Sequence, residues 1–408
     1  MKRIKQIIFS DFFDTLTNGA LVLFAYWYIY DVTHNQNYIS LLGLISMLAT
    51  LFTFIGGYFS DRMNRIALLK IVVLIRILNT SFGLVIYLLM NNPILGVMMT
   101  VVINSVLNIV YSLLTESIVP SIVHDRDDLV TANSWVSITN QLASVLSAGL
   151  SAIFIFFGNV GAGLVLSLIL YSVSYFLIGR LNSTQAPEAN HEASSSLSIQ
   201  TSNFFEGIKI IRSNTLIAVI VPIALVTNFC FWTVWLLMPK LSIDIFSEFK
   251  YMYNAVDLAF TVGSILGAFL VNAKHSDTKI FTAKSFPYFL FLQGFMILLI
   301  GFFSLLQRGI FGVVLAWLGY GICNATGSIL YFSTVQLSVP NQHIGMVIGA
   351  ILTIFSVANP IAAIASAPLS HLAATPSIVL CLGLVMMIAA IPVFSKKVIS
   401  DLIKVDAD

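Results

Sequence analysis

Four ionisable side chains stand inside long apolar runs of this 408-residue chain: Asp14, Arg76, Glu116 and Asp257. A charge at the centre of a bilayer costs about 2.5–3.5 kcal/mol on insertion scales, so such residues are kept where they pair or where they move an ion or a proton. A carboxylate in that setting can take a proton from one side and release it to the other. A guanidinium beside it can hold the acid ionised until it is needed. Asp14, Asp257 and Glu116 are therefore candidates for proton coupling, in that order, with Arg76 as partner. Asp11 and Asp31 lie nearer the ends of their run, where water can solvate them. No phosphate loop of the Gly-x-x-x-x-Gly-Lys type occurs, nor a zinc-protease His-Glu-x-x-His motif or a clustered Cys/His site. ATP is thus not expected as the energy source, and neither catalysis, a cofactor nor a metal is expected. Cys230, Cys323 and Cys381 fall in apolar runs without metal-ligand or redox spacing and read as packing residues.

The elements that carry these residues follow from composition. The chain is 58% hydrophobic and only 9% charged, against about 25% charged in a soluble domain. It reads as an all-α integral membrane protein, because lipid leaves unpaired backbone no partner and barrel strands would alternate in polarity. Twelve apolar runs are long enough to span: 7–30, 39–59, 67–90, 94–118, 130–157, 160–181, 215–238, 252–272, 285–306, 309–333, 344–369 and 375–394. Lys and Arg set the orientation. With the N-terminus inside, the outer side holds only Lys240, Lys250 and Arg308, and Arg76 alone lies within a span. Both ends then face the cytoplasm of a bacterial-type inner membrane. No cleavable signal peptide is expected, since the first span carries Asp11 and Asp14. On this frame Asp14 is in the inner third of span 1, Glu116 is near the inner end of span 4, and Asp257 is in the outer half. Arg76 lies about 14 Å along span 3, which permits a pair with Asp14. The net charge of +2 suggests no nucleic-acid partner.

Residues 182–203 form the one long polar segment and read as a flexible linker, followed by a short amphipathic helix from Phe204 to Arg212 suited to the inner membrane surface. The expected domains are a six-helix half over 1–181, a cytoplasmic linker over 182–214, a second six-helix half over 215–395, and a tail over 396–408.

Between spans 2 and 3 stands Gly57-x-x-x-Asp61-Arg62-x-x-Arg65. It resembles the signature that the major facilitator superfamily of secondary transporters carries at this same loop. Asn64 stands where the family usually has Gly. Val119-Pro120, Asp128-Leu129-Val130-Thr131-Ala132-Asn133 and Val339-Pro340 are similar to the branch containing macrolide-efflux and enterobactin-exporter proteins. The resemblance implies twelve helices in two repeated halves, a layout of which this superfamily is itself the standard example. It also implies a cytoplasmic gate in which Asp61 makes charge-assisted hydrogen bonds to neighbouring bases or helix N-termini.

In that superfamily spans 1, 4, 7 and 10 line the central cavity. Each carries a polar or aromatic stripe at helical spacing here: Asp11, Asp14, Thr15 and Asn18; Asn104, Asn108, Tyr111 and Thr115; Asn228, Trp232 and Trp235; Asn324, Ser328 and Tyr331. The stripes read as a substrate cavity; the alternative is hydrogen-bonding between helices. The leading expectation is proton-coupled, antiport-type export of amphipathic small molecules, as in drug resistance, by a monomer whose partners are substrate, protons and lipid. The alternatives are a dedicated exporter of a siderophore, peptide or other natural product, uptake of a nutrient, and a non-transporting receptor.

Overall fold

The computed structural model describes residues 2–50, 64–90, 93–122, 126–180, 206–273, 283–306, 309–340 and 343–405. Within these ranges the side chains of 2–5, 49, 50, 90, 116, 117, 119–122, 126–134, 137 and 345 lie outside the description. The described residues contain helices and turns and no strand. The spans are α1 (Lys2–Thr33), α2 (Gln36–Thr50), α3 (Arg65–Met90), α4 (Pro93–Ile122), α5 (Arg126–Phe157), α6 (Val160–Gly179), α7 (Thr215–Ile245), α8 (Met252–Ala273), α9 (Phe286–Leu305), α10 (Ile310–Ser338), α11 (Ile344–Leu372) and α12 (Thr375–Ala390). Eleven are long and apolar enough to cross a bilayer, and the described part of α2 is a shorter apolar helix. A last amphipathic helix, α13, covers Lys396–Val405.

Local chemistry fixes the ends of these helices. Asn64 caps α3, its Oδ1 accepting from the backbone N–H groups of Ile66 (3.1 Å) and Ala67 (3.2 Å). That is the physical use of an Asn where the family usually has Gly. Asn214 caps α7 in the same way, accepting from Leu216 and Ile217, while its Nδ2 donates to the Ser338 carbonyl at 3.1 Å. One side chain thus starts span 7 and ties it to the end of span 10. Between α5 and α6, Gly158 takes a φ of +58° and Asn159 caps the next helix, the left-handed stop and polar restart that glycine and asparagine supply.

The chain divides into two compact units: residues 1–34 with 45–194, and residues 35–44 with 195–408. The internal packing of the two units follows one plan. In the first, α1 packs on α5 and α6, and α3 packs on α4 and α6; in the second, α7 packs on α11 and α12, and α9 packs on α10 and α12. Each pairing recurs six spans later. The sequence repeat is nearly invisible because lipid-facing positions accept any apolar residue, whereas helix-to-helix geometry does not change. In the second unit α8 also lies close against α10. A Cβ on Gly263 would strike the Leu318 carbonyl and one on Gly267 would meet Ile322, while Gly321 faces Phe260 in return. Small residues here let two backbones touch.

The first residues of α2 belong to the second unit. Gln36 Nε2 donates to the Leu236 carbonyl of α7 at 2.8 Å, and the hydroxyls of Ser40 and Ser366 of α11 are 2.6 Å apart. At the other end of that unit, α13 buries Val398 and Leu402 in its core while Lys396, Lys397 and Lys404 stay exposed. The short helix over 206–213 packs Ile211 into the same core, with Gly207 against the Met346 carbonyl.

Candidate functional site

In the first unit the chemistry gathers around one guanidinium. Arg76 and Asp14 both have 0% of their surface exposed. Arg76 Nη1 donates to Asp14 Oδ2, and Nη2 donates to Asn108 Oδ1 at 3.1 Å. The guanidinium carbon lies 4.9 Å from the Tyr111 ring centre and 5.7 Å from that of Tyr171. A buried ion pair offsets its desolvation only when its remaining donors and acceptors are met. Here an amide and two ring faces surround the cation. Neither charge is fully met: Arg76 Nε and Asp14 Oδ1 are buried and have no hydrogen-bond partner among the described residues, and the same holds for Asn18 Oδ1 one turn further along α1.

Asn104 of the span 4 stripe also turns toward α3. Asn79 Nδ2 donates to Asn104 Oδ1 (3.1 Å) and to the Thr100 carbonyl (2.9 Å). Thr115 bonds back to its own helix at Tyr111 and Ser112. Ser10 meets Ser174 at 2.8 Å, fastening α1 to α6 beside the pair. Tyr171 and Asn79 escaped the sequence reading. The signal for Tyr171 was present: Ser167, Tyr171 and Ser174 repeat at i, i+4, i+7 on one buried face of α6.

In the second unit a cavity of about 280 Å³ opens between α7, α9, α10 and α11. Asn228 and Trp232 of α7 line it, with Asn324, Ser328 and Tyr331 of α10. Thr227, Phe231, Phe286, Leu290, Gln293, Tyr320 and Phe355 complete most of its wall. Asn228 Nδ2 is committed to the Phe355 carbonyl (3.1 Å) and Asn359 Oδ1 (3.4 Å), and Gln293 Nε2 to the Cys323 carbonyl (3.3 Å). Tyr331 is 4% exposed, and its hydroxyl is buried without a partner among the described residues. Trp235 is not on this wall. It sits among Phe231, Tyr253, Phe260 and Trp317, an aromatic cluster in which Phe231 and Tyr320 stack at 5.3 Å with planes 2° apart.

Asp257 lies on α8 one turn before Phe260, half-buried, with no ion pair or hydrogen bond among the described residues. Glu116 falls within α4, and its side chain lies outside the described residues. Gly57, Asp61 and Arg62 also lie outside them; Arg65 opens α3, half-buried.

The profile of the Major Facilitator Superfamily matches residues 7–363. The chain belongs to the major facilitator superfamily. It is a multi-pass membrane protein with the fold of a secondary transporter, built of helices in the superfamily's arrangement. Solved structures similar to it along nearly their whole length include the nucleoside transporter NupG (TM-score 0.73, 14% identity, 99% of this chain and 100% of that one). A POT family transporter in complex with a thioalcohol-conjugated peptide gives a TM-score of 0.72 at 14% identity, over 97% and 96%. A D-xylose–proton symporter gives 0.67 at 11% identity, over 97% and 96%. At these identities the likeness is one of fold. No curated protein sequence matches the chain.

Proposed function

We propose that this transporter exports amphipathic small molecules from a bacterial cytoplasm in exchange for protons. Both termini and the 182–214 linker face inside, and the two six-helix halves over 1–181 and 215–395 rock about a substrate held by spans 1, 4, 7 and 10. The observation that carries the reading is the cavity on α7 and α10. Its wall is mostly aromatic and aliphatic with a few amide and hydroxyl groups, the surface on which an amphipathic molecule is held by apolar contact and oriented by a few polar ones. The motifs at Val119-Pro120 and Val339-Pro340 favour the efflux branch.

Coupling is assigned to Asp14, with Arg76 as its counter-ion. A proton taken on Asp14 weakens its hold on Arg76, and Asn108 and the rings of Tyr111 and Tyr171 remain to receive the cation. Asp257 and Glu116 are the second and third candidates. Asp61, with Gly57, Arg62 and Arg65, closes the cytoplasmic side between cycles. A monomer suffices for this cycle, with substrate, protons and lipid as its partners.

The test is accumulation of a panel of amphipathic fluorescent dyes in energised bacterial cells with and without the chain. Export requires lower accumulation in expressing cells, abolished by a protonophore. Higher accumulation would establish uptake instead.

A further inference from the structure

The cavity of the second unit also carries information on what fits it, and the inference here rests on the reading that it is the substrate site. None of its lining side chains is charged. An ion placed there would lose its water and gain no counter-charge, a cost of several kcal/mol. The wall nevertheless has unused hydrogen-bonding capacity. A serine or threonine in a helix of this unit can spend its hydroxyl on its own helix, as Ser264, Thr334 and Ser356 do. Ser328 makes no such bond and is exposed toward the cavity. Asn324, one turn before it, makes no hydrogen bond among the described residues, and the Tyr331 hydroxyl is buried and unpartnered. These three lie on one stripe of α10 and offer both donors and acceptors. Opposite them Asn228 Nδ2 donates to the Phe355 carbonyl and Asn359 Oδ1, and Gln293 Nε2 gives one N–H to the Cys323 carbonyl, so what these two amides offer a ligand is chiefly their oxygens. Rings supply the rest: Tyr331 lies 5.8 Å from both Phe286 and Phe355.

We infer that this cavity takes the uncharged, planar heteroaromatic portion of a substrate, with an amide-like edge of donors and acceptors set against Asn324, Ser328 and Tyr331. Cationic and anionic rings of the same size are excluded by the lack of a counter-charge. The reading narrows the amphipathic class to molecules whose ring system is neutral.

Three probes share one pyridine ring and differ in charge: nicotinamide, the 1-methylnicotinamide cation and the nicotinate anion. Saturation-transfer NMR on the purified full chain in detergent measures their ring-proton signals. Nicotinamide is expected to exceed either ion by about five-fold or more. Ser328→Leu, at a position already exposed to the cavity, should lower the nicotinamide signal by about three-fold or more by filling the space. Asn324→Asp places a carboxylate on the stripe without changing its size, and should raise the cation to or above the level of nicotinamide. An ion binding as well as nicotinamide to the parent would overturn the neutral class while leaving the cavity as the site. A nicotinamide signal indifferent to both variants would mean that binding lies elsewhere, which overturns the site itself. No signal from any probe would overturn the proposed class.

Discussion

Arg76 has no exposed surface, and its two terminal nitrogens donate to Asp14 and Asn108 with Tyr111 and Tyr171 against its face. Removing one partner of a buried pair leaves the other charge unsatisfied, at about 3–5 kcal/mol, whereas replacing both by neutral groups costs far less. Asp14→Asn and Arg76→Gln should therefore each lower the thermal midpoint of the purified protein. The double variant should lie above the lower of the two singles. Losses that simply add would mean that the two charges do not depend on one another. This pair was legible in the sequence, since two opposite charges at compatible depth have few other places to go. Asn79 and Gln293 were not, because an amide in an apolar run looks the same whether it faces lipid, a helix or a cavity. Trp235 shows the reverse limit. It shares the stripe of Asn228 but sits about 10 Å further along the axis, where the neighbours of α7 are the rings of α8 and α10 rather than the cavity.

At the scale of helices, the sequence supplied spacing and left the facing element open. The stripes on α4 and α10 have the same periodicity, yet Asn104, Asn108 and Tyr111 meet side chains of α3 while Asn324, Ser328 and Tyr331 line the cavity. Rotation of a helix about its axis is set by its neighbours, and a period of 3.6 cannot report it. The number of spans was legible for the opposite reason, since bilayer thickness fixes length and composition together. The start of α2 was also unforeseen: it lies in the first six spans yet bonds to α7 and α11 through Gln36 and Ser40. Alternating access in this superfamily requires the halves to part, and the Ser40–Ser366 contact crosses the two sets of spans. With cysteines at both positions in a background without native cysteines, oxidation should arrest transport and a reductant should restore it. Full transport by the cross-linked protein would show that this contact persists through the cycle.

For the whole molecule, the proposed orientation rests on the Lys and Arg distribution, which assigns a side to every loop at once. Ser247 stands exposed after α7 and Ser395 stands exposed before α13. In the cysteine-free background, Ser247→Cys should react with an impermeant maleimide in intact cells, and Ser395→Cys only after permeabilisation. The reverse pattern would invert the protein in the membrane and exchange the inner and outer assignments of all the acids. In the proton exchange proposed above, the proton is needed only for uphill work. Reconstituted vesicles with an imposed pH gradient separate the two kinds of work. Asp14→Asn should lose the ability to concentrate substrate while still letting it equilibrate down its own gradient, with Asp257→Asn and Glu116→Gln measured beside the parent. An Asp14→Asn protein that still concentrates substrate as the parent does would contradict coupling through this acid.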